Sequence, residues 1–133
     1  MEQIEHLGIA VYNLEDGIRL YRDLLGFTLE GTEIVEEDKV KVAFLRCGPN
    51  RIELLEPLEE DSPVGKFLRK KGPGLQHVSY KTSNLEEDLE RLKAGGVRLI
   101  DKTPRTGAEE KRVAFLNPKD TGGVLIELCE GED

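Results

Sequence analysis

The chain repeats itself, and no other feature restricts its fold as much. His6-Leu7-Gly8-Ile9-Ala10-Val11-Tyr12-Asn13-Leu14-Glu15 lines up without a gap on His77-Val78-Ser79-Tyr80-Lys81-Thr82-Ser83-Asn84-Leu85-Glu86, an offset of 71 residues, with His, Asn, Leu and Glu coinciding. At the same offset Val42-Ala43-Phe44-Leu45 matches Val113-Ala114-Phe115-Leu116. After a small insertion, Ile52-Glu53-Leu54 matches Ile126-Glu127-Leu128. Matches that keep their order over both halves mean a duplicated module, so whatever one half folds into, the other folds into as well.

Each half reads as a strand, a helix and then three strands. Residues 3–12 and 75–82 alternate like half-buried strands. Asn13 and Asn84 are N-caps, with Asp16 and Glu87 three residues on to complete a capping pattern. One helix sets Leu14, Ile18, Tyr21 and Leu25 on a single stripe and the other sets Leu85, Leu89 and Leu92 there. Gly26 and the Gly95-Gly96 pair end them. The remaining strands fall at about 27–35, 40–47 and 50–56, then 97–101, 111–117 and 123–130. Ser62-Pro63 opens a short basic helix that runs to Gly72. The expected class is α+β, two tandem βαβββ modules. One domain spans residues 1–133, with module one at about 1–58, the connecting helix at 62–72 and module two at about 73–133.

Composition narrows the function. Apolar residues make up 38 % of the 133 and are spread along the whole length, which fits one full core and not a disordered chain. No apolar run approaches the roughly 20 residues of a spanning helix, and the N-terminus lacks a signal peptide's apolar stretch, so a soluble cytoplasmic protein is expected. A net charge of −8 argues against nucleic acid or an anionic membrane as partner. Cys47 and Cys129 lack C-x-x-C spacing and read as buried free thiols in a reducing compartment. Gly122-Gly123 is an isolated pair and not a phosphate or dinucleotide loop, so no organic cofactor is expected.

Strand parity then sorts the side chains. Leu7, Ile9 and Val11 form an apolar row toward the helices, which puts His6, Gly8 and Ala10 on the other face. Ile52 and Leu54 leave Glu53 opposite them, Val78 and Tyr80 leave His77, and Ile126 and Leu128 leave Glu127. A lone histidine in a strand is more often a hydrogen-bonded core residue, and a lone glutamate is usually solvated. Here the chain's two histidines occupy equivalent repeat positions, and so do two glutamates. That coincidence favours His6, Glu53, His77 and Glu127 as ligands of one divalent cation. Two nitrogen and two oxygen donors suit Co, Ni, Mn, Fe or Zn, with positions open to substrate.

Over essentially its whole length the chain resembles the vicinal oxygen chelate superfamily, the fold of glyoxalase, extradiol dioxygenases and methylmalonyl-CoA epimerase, and the resemblance implies two tandem βαβββ modules forming a curved mixed sheet around a metal-binding cleft. His-Leu-Gly-Ile-Ala-Val at the start, with Tyr21-x-x-x-Leu25-Gly26-Phe27, is general to the superfamily. Other stretches are similar to the epimerase branch. They are residues 40–45, Ile52-Glu53-Leu54-Leu55-Glu56-Pro57-Leu58, Asp61-Ser62-Pro63 leading to Gly74-Leu75-Gln76-His77, Arg105-x-Gly107-Ala108, and 113–128. Glyoxalases usually carry a D-P-D-G-type turn before the last ligand strand, where this chain reads Asn117-Pro118-Lys119-Asp120-Thr121-Gly122-Gly123. Gln76 stands where some members have a further histidine, and Glu53 where others have Gln.

The resemblance implies inversion at the α-carbon of an acyl-CoA substrate, methylmalonyl-CoA, by a metal-dependent enzyme that forms a homodimer. It implies that Glu127 both binds metal and moves the proton. For the opposite side, some members carry an acid on the strand equivalent to 40–45, and this chain has none there. Parity is read as placing Lys41 and Ala43 on the cleft face. Three roles stay open: Lys41 as proton donor, Glu53 as proton donor by module symmetry, and Lys41 as a counter-charge only. Lys66, Arg69, Lys70, Lys71, Arg105 and Lys119 are candidate contacts for CoA phosphates or a solvated charged surface. The rivals on the same fold are a glyoxalase-type lactoylglutathione lyase and a non-catalytic small-molecule binding protein.

Overall fold

A computed structural model gives the fold and describes residues 1–131. These form two compact units, one of residues 6–76, the other of Met1–Glu5 with the residues from His77 onward. In the first, β1 (Gln3–Ala10) leads to α1 (Leu14–Ile18), β2 (Thr28–Val35), β3 (Val40–Cys47), β4 (Asn50–Pro57) and α2 (Pro63–Lys71). Its strands run in the order β2-β3-β4-β1. β2, β3 and β4 are antiparallel neighbours, and β1 pairs parallel with β4 through Leu7↔Ile52, Gly8↔Glu53 and Ile9↔Leu54.

The second unit repeats the plan with β5 (Gly74–Lys81), α3 (Leu85–Ala94), β6 (Arg105–Thr106), β7 (Arg112–Leu116) and β8 (Ile126–Glu130). Here the order is β5-β8-β7-β6, and β5 runs parallel to β8 through Val78↔Ile126, Ser79↔Glu127 and Tyr80↔Leu128. The sequence repeat is therefore a repeat of topology. In each unit the first and last strands of a βαβββ module form the parallel pair.

The helices form where the caps and stripes indicate. The Asn13 side chain accepts from Asp16 N–H at 3.1 Å and the Asn84 side chain accepts from Glu87 N–H at 3.1 Å. A second acceptor comes from far along the chain. Glu56 Oε1 accepts from Leu14 N–H at 2.6 Å, and Glu130 Oε2 accepts from Leu85 N–H at 2.8 Å. Each module thus plants the carboxylate ending its last strand at the positive end of its own helix. Leu14, Ile18, Ala43, Leu45, Ile52 and Leu54 form one core, and Leu85, Leu89, Ala114, Leu116 and Leu128 form the other.

Four expectations need correction. After Ile18 the helix widens into a π turn, Arg19–Leu24, in which Leu25 N–H reaches Leu20 C=O. The extra residue rotates the stripe, so Tyr21 still packs on the core while Leu25 is 56 % exposed. Gly26, at φ +81°, then ends the helix in a conformation that favours glycine. In place of a strand at 97–101 there is a single bridge, Leu99↔Leu116, and the edge strand is β6 instead. The last strand starts at Ile126, because Pro118–Asp120 forms a 3-10 turn. Cys47 is exposed at the tight turn between β3 and β4, and only Cys129 is buried.

The segment after α3 is held by charge. Arg98 donates to the Asp120 carboxylate through its backbone N–H at 2.9 Å and through its guanidinium at 2.8 and 3.1 Å. The guanidinium, with the backbone bond behind it, pulls the Asp120 carboxyl down to about 2. A depressed carboxyl stabilises the fold fully above its unfolded value near 4, and that stabilisation fades as pH falls through about 2. Asp120→Asn should therefore be less stable than wild type at pH 5 and lose less on acidification from pH 4 to pH 2. Melting temperatures across that range check this.

Candidate metal centre

In the first unit His6 on β1 and Glu53 on β4 stand on the face away from the core, because Leu7, Ile9, Ile52 and Leu54 take the helix side. His6 Nδ1 lies 3.1 Å from Glu53 Oε2. In the second unit His77 on β5 and Glu127 on β8 keep the same relation across the parallel pair, with Nε2 3.8 Å from Oε1. His6, Glu53, His77 and Glu127 are 4, 5, 5 and 8 % exposed. Four buried groups able to carry charge are rare without partners, and an imidazole beside a carboxylate is a metal-ligand combination. Ligand bonds of about 2.0–2.2 Å put adjacent donors on one ion roughly 3.0–3.4 Å apart. The first pair fits this spacing, and the second needs only a small side-chain rotation to reach it. Each imidazole–carboxylate pair is thus of a chemistry that fits a divalent cation.

Each glutamate is also in register with a phenyl ring, Glu53 with Phe44 and Glu127 with Phe115. The Phe115 ring meets His77 edge to face, with centroids 5.4 Å apart. Arg51 Cζ lies 4.4 Å from the Phe44 ring centre, and Arg105 Cζ lies 5.7 Å from that of Phe115. The sequence reading missed this aromatic and guanidinium layer on the ligand face, although the two phenylalanines were visible in the repeat. Arg105 also donates to Asp101 Oδ1 at 3.0 Å, while Asp101 Oδ2 accepts from Phe115 N–H at 2.8 Å. This couples Arg105 to the strand that carries Phe115. Of the other basic candidates, Arg69 lies 3.8 Å from Asp61 and Lys71 lies over the Phe67 ring.

Lys41 is not on the ligand face. Ala43 and Leu45 pack into the core with Leu14 and Ile18, and alternation puts Lys41 on that same helix side. Its cross-strand neighbour Glu56 points the same way, to the N-terminus of α1. The residues of β3 on the side of Glu53 are Val40, Val42, Phe44 and Arg46; the first three have no ionisable group, and Arg46 near the strand's end donates to Glu30 at 2.8 Å. The proposed proton-transfer role for Lys41 is thus corrected by position. Lys41→Met should retain kcat within about threefold, as expected for a residue that makes no transition-state contact. Steady-state kinetics on the variant check this.

Among the described residues no helix is long and apolar enough to cross a membrane. The fold defines a protein of tandem βαβββ modules, each with a buried His–Glu pair. The family model for the Glyoxalase/Bleomycin resistance protein/Dioxygenase superfamily matches residues 5–115, and the chain belongs to that superfamily. It is 47 % identical to the uncharacterized protein YqjC of Bacillus subtilis, over 98 % of this chain and 93 % of that one. It is 39 % identical to the mitochondrial methylmalonyl-CoA epimerase of Mus musculus, over 95 % of this chain and 71 % of the relative. The crystal structure of methylmalonyl-CoA epimerase from Mycobacterium tuberculosis matches it with a TM-score of 0.94 at 41 % identity, covering 98 % of this chain and 89 % of that one.

Proposed function

We propose that this chain is a methylmalonyl-CoA epimerase whose single divalent ion is held by His6, Glu53, His77 and Glu127. The observation that carries the reading is the buried His–Glu pair found at equivalent positions in both units. When bound, a divalent ion supplies the positive charge against which the thioester oxygen takes up an electron pair. The residues do the proton work. As the C2–H bond breaks, the proton passes to the Glu127 carboxylate and the electron pair moves toward the thioester oxygen. A proton delivered to the opposite face of C2 restores the thioester with inverted configuration.

With Lys41 on the helix face, Glu53 is the residue that delivers it: it enters the step as the carboxylic acid while Glu127 enters as the carboxylate, and the two exchange forms with each inversion. A carboxylate repeated at equivalent positions suits a reaction that must run both ways, because each epimer needs a base on its own side. Phe44 and Phe115, in register with the two glutamates, keep bulk water from these carboxylates. The same reading takes an acyl-CoA as partner, and a cytoplasmic homodimer as the working form.

A side-by-side assay separates this from the glyoxalase reading, since both use the same ligands. Metal-loaded protein is given methylmalonyl-CoA of one configuration and, separately, the hemithioacetal of glutathione and methylglyoxal. The epimerase reading expects inversion of the first and no turnover of the second. Turnover of the hemithioacetal alone would overturn it. Turnover of neither, with ligand binding unchanged by EDTA, would favour a binding protein.

A further inference from the structure

We propose that Ser79 is a positioning residue for Glu127, a hydroxyl that holds the carboxylate in one orientation both when charged and when carrying the substrate proton. The inference rests on the epimerase reading and adds a residue to it. Ser79 is 0 % exposed, and its Oγ has no hydrogen-bond partner among the described residues. A buried hydroxyl that has given up its hydration without a replacement is uncommon in native folds and calls for an explanation.

Its place in the sheet supplies one. On β5, Ser79 shares a face with His77, two residues before it, while Tyr80 turns to the core around α3. Across the parallel ladder its register partner is Glu127. Neighbouring strands lie about 4.8 Å apart and paired side chains on one face stand side by side, so the Ser79 hydroxyl and the Glu127 side chain are neighbours on that face.

The first unit provides a built-in comparison. There the residue in register with Glu53 is Gly8, which has no side chain, although both glutamates keep a histidine beside them, His6 at 3.1 Å and His77 at 3.8 Å. The repeat therefore places a hydroxyl beside only one of its two equivalent glutamates. That glutamate is the one assigned both metal binding and proton removal from one epimer. A hydroxyl suits the position because it donates to a carboxylate and accepts from a carboxylic acid. A lysine or arginine can only donate, and would hold just the charged form.

The test uses the metal-loaded enzyme with Ser79→Ala and Ser79→Thr. Losing a hydrogen bond to a charged group should lower kcat for epimerisation of the Ser79→Ala variant roughly 10-fold, with KM and metal content close to wild type. Its melting temperature should stay near wild type, because alanine keeps the packing of β5 and removes only the hydroxyl. Ser79→Thr should recover most of kcat. Wild-type kcat in Ser79→Ala overturns the inference. So does a lowered melting temperature with a loss of kcat that Thr does not rescue, which would assign Ser79 to packing. If the wild-type protein itself fails to invert C2, the epimerase reading is what fails and the inference falls with it.

Discussion

Glu127→Gln should lower kcat for methylmalonyl-CoA inversion by about 10³-fold, the middle of the range for loss of a positioned base. Glutamine keeps the length, shape and one ligand oxygen of the side chain and removes only its basicity. Metal content and KM should therefore stay near wild type, while kcat and kcat/KM fall together. The counterpart, Glu53→Gln, separates one base from two. If Glu127 and Glu53 serve opposite faces of C2, each variant loses inversion but still exchanges the C2 hydrogen of one epimer with solvent, a different epimer in each case. Chiral analysis of the recovered substrate after incubation in deuterium oxide reads this directly. Full activity in Glu127→Gln would remove the residue from the chemistry.

His6→Ala and His77→Ala should each abolish tight metal binding, although the two histidines belong to different units. Loss of an outer-shell partner alone typically costs 10–100-fold in affinity, so loss of an inner ligand should exceed about 10²-fold. Wild-type protein should hold one ion per chain, and either variant close to none at micromolar metal. If each His–Glu pair held its own ion, wild type would hold two and each variant one. Added metal at about 100 times its Kd stabilises the binding form by about 2.7 kcal/mol. The wild-type melting temperature should therefore rise with metal while that of either variant stays flat. Elemental analysis of dialysed protein, with melting curves beside it, checks both halves.

Much of this architecture was legible in the chain because it is written twice. The repeat carried element order, both N-caps and the choice of His6, Glu53, His77 and Glu127, since an error in one half would have spoiled its match to the other. What parity alone decided was less secure. Between Lys41 and Arg46, β3 is apolar on both faces, Val42 and Phe44 on one side and Ala43 and Leu45 on the other. Alternation there gives no sign of which face is which, and only pairing with β4 showed Lys41 to stand with the core. The π turn that exposed Leu25 depends on how α1 settles on its sheet, which a 3.6-residue period does not encode. Glu56 and Glu130 reach helix termini 42 and 45 residues away, so no local pattern reveals them. Ser79 was in plain view opposite Gly8 in the repeat, but its meaning needed the ladder that sets it beside Glu127.

The most direct measurement is solvent-deuterium incorporation at C2 of methylmalonyl-CoA, followed by NMR with the metal-loaded protein and with Glu127→Gln. Rapid incorporation accompanied by inversion in the wild-type protein, dependent on a divalent ion and lost as inversion in Glu127→Gln, is the expected result. Absence of exchange across Co, Ni, Mn, Fe and Zn would contradict the assignment.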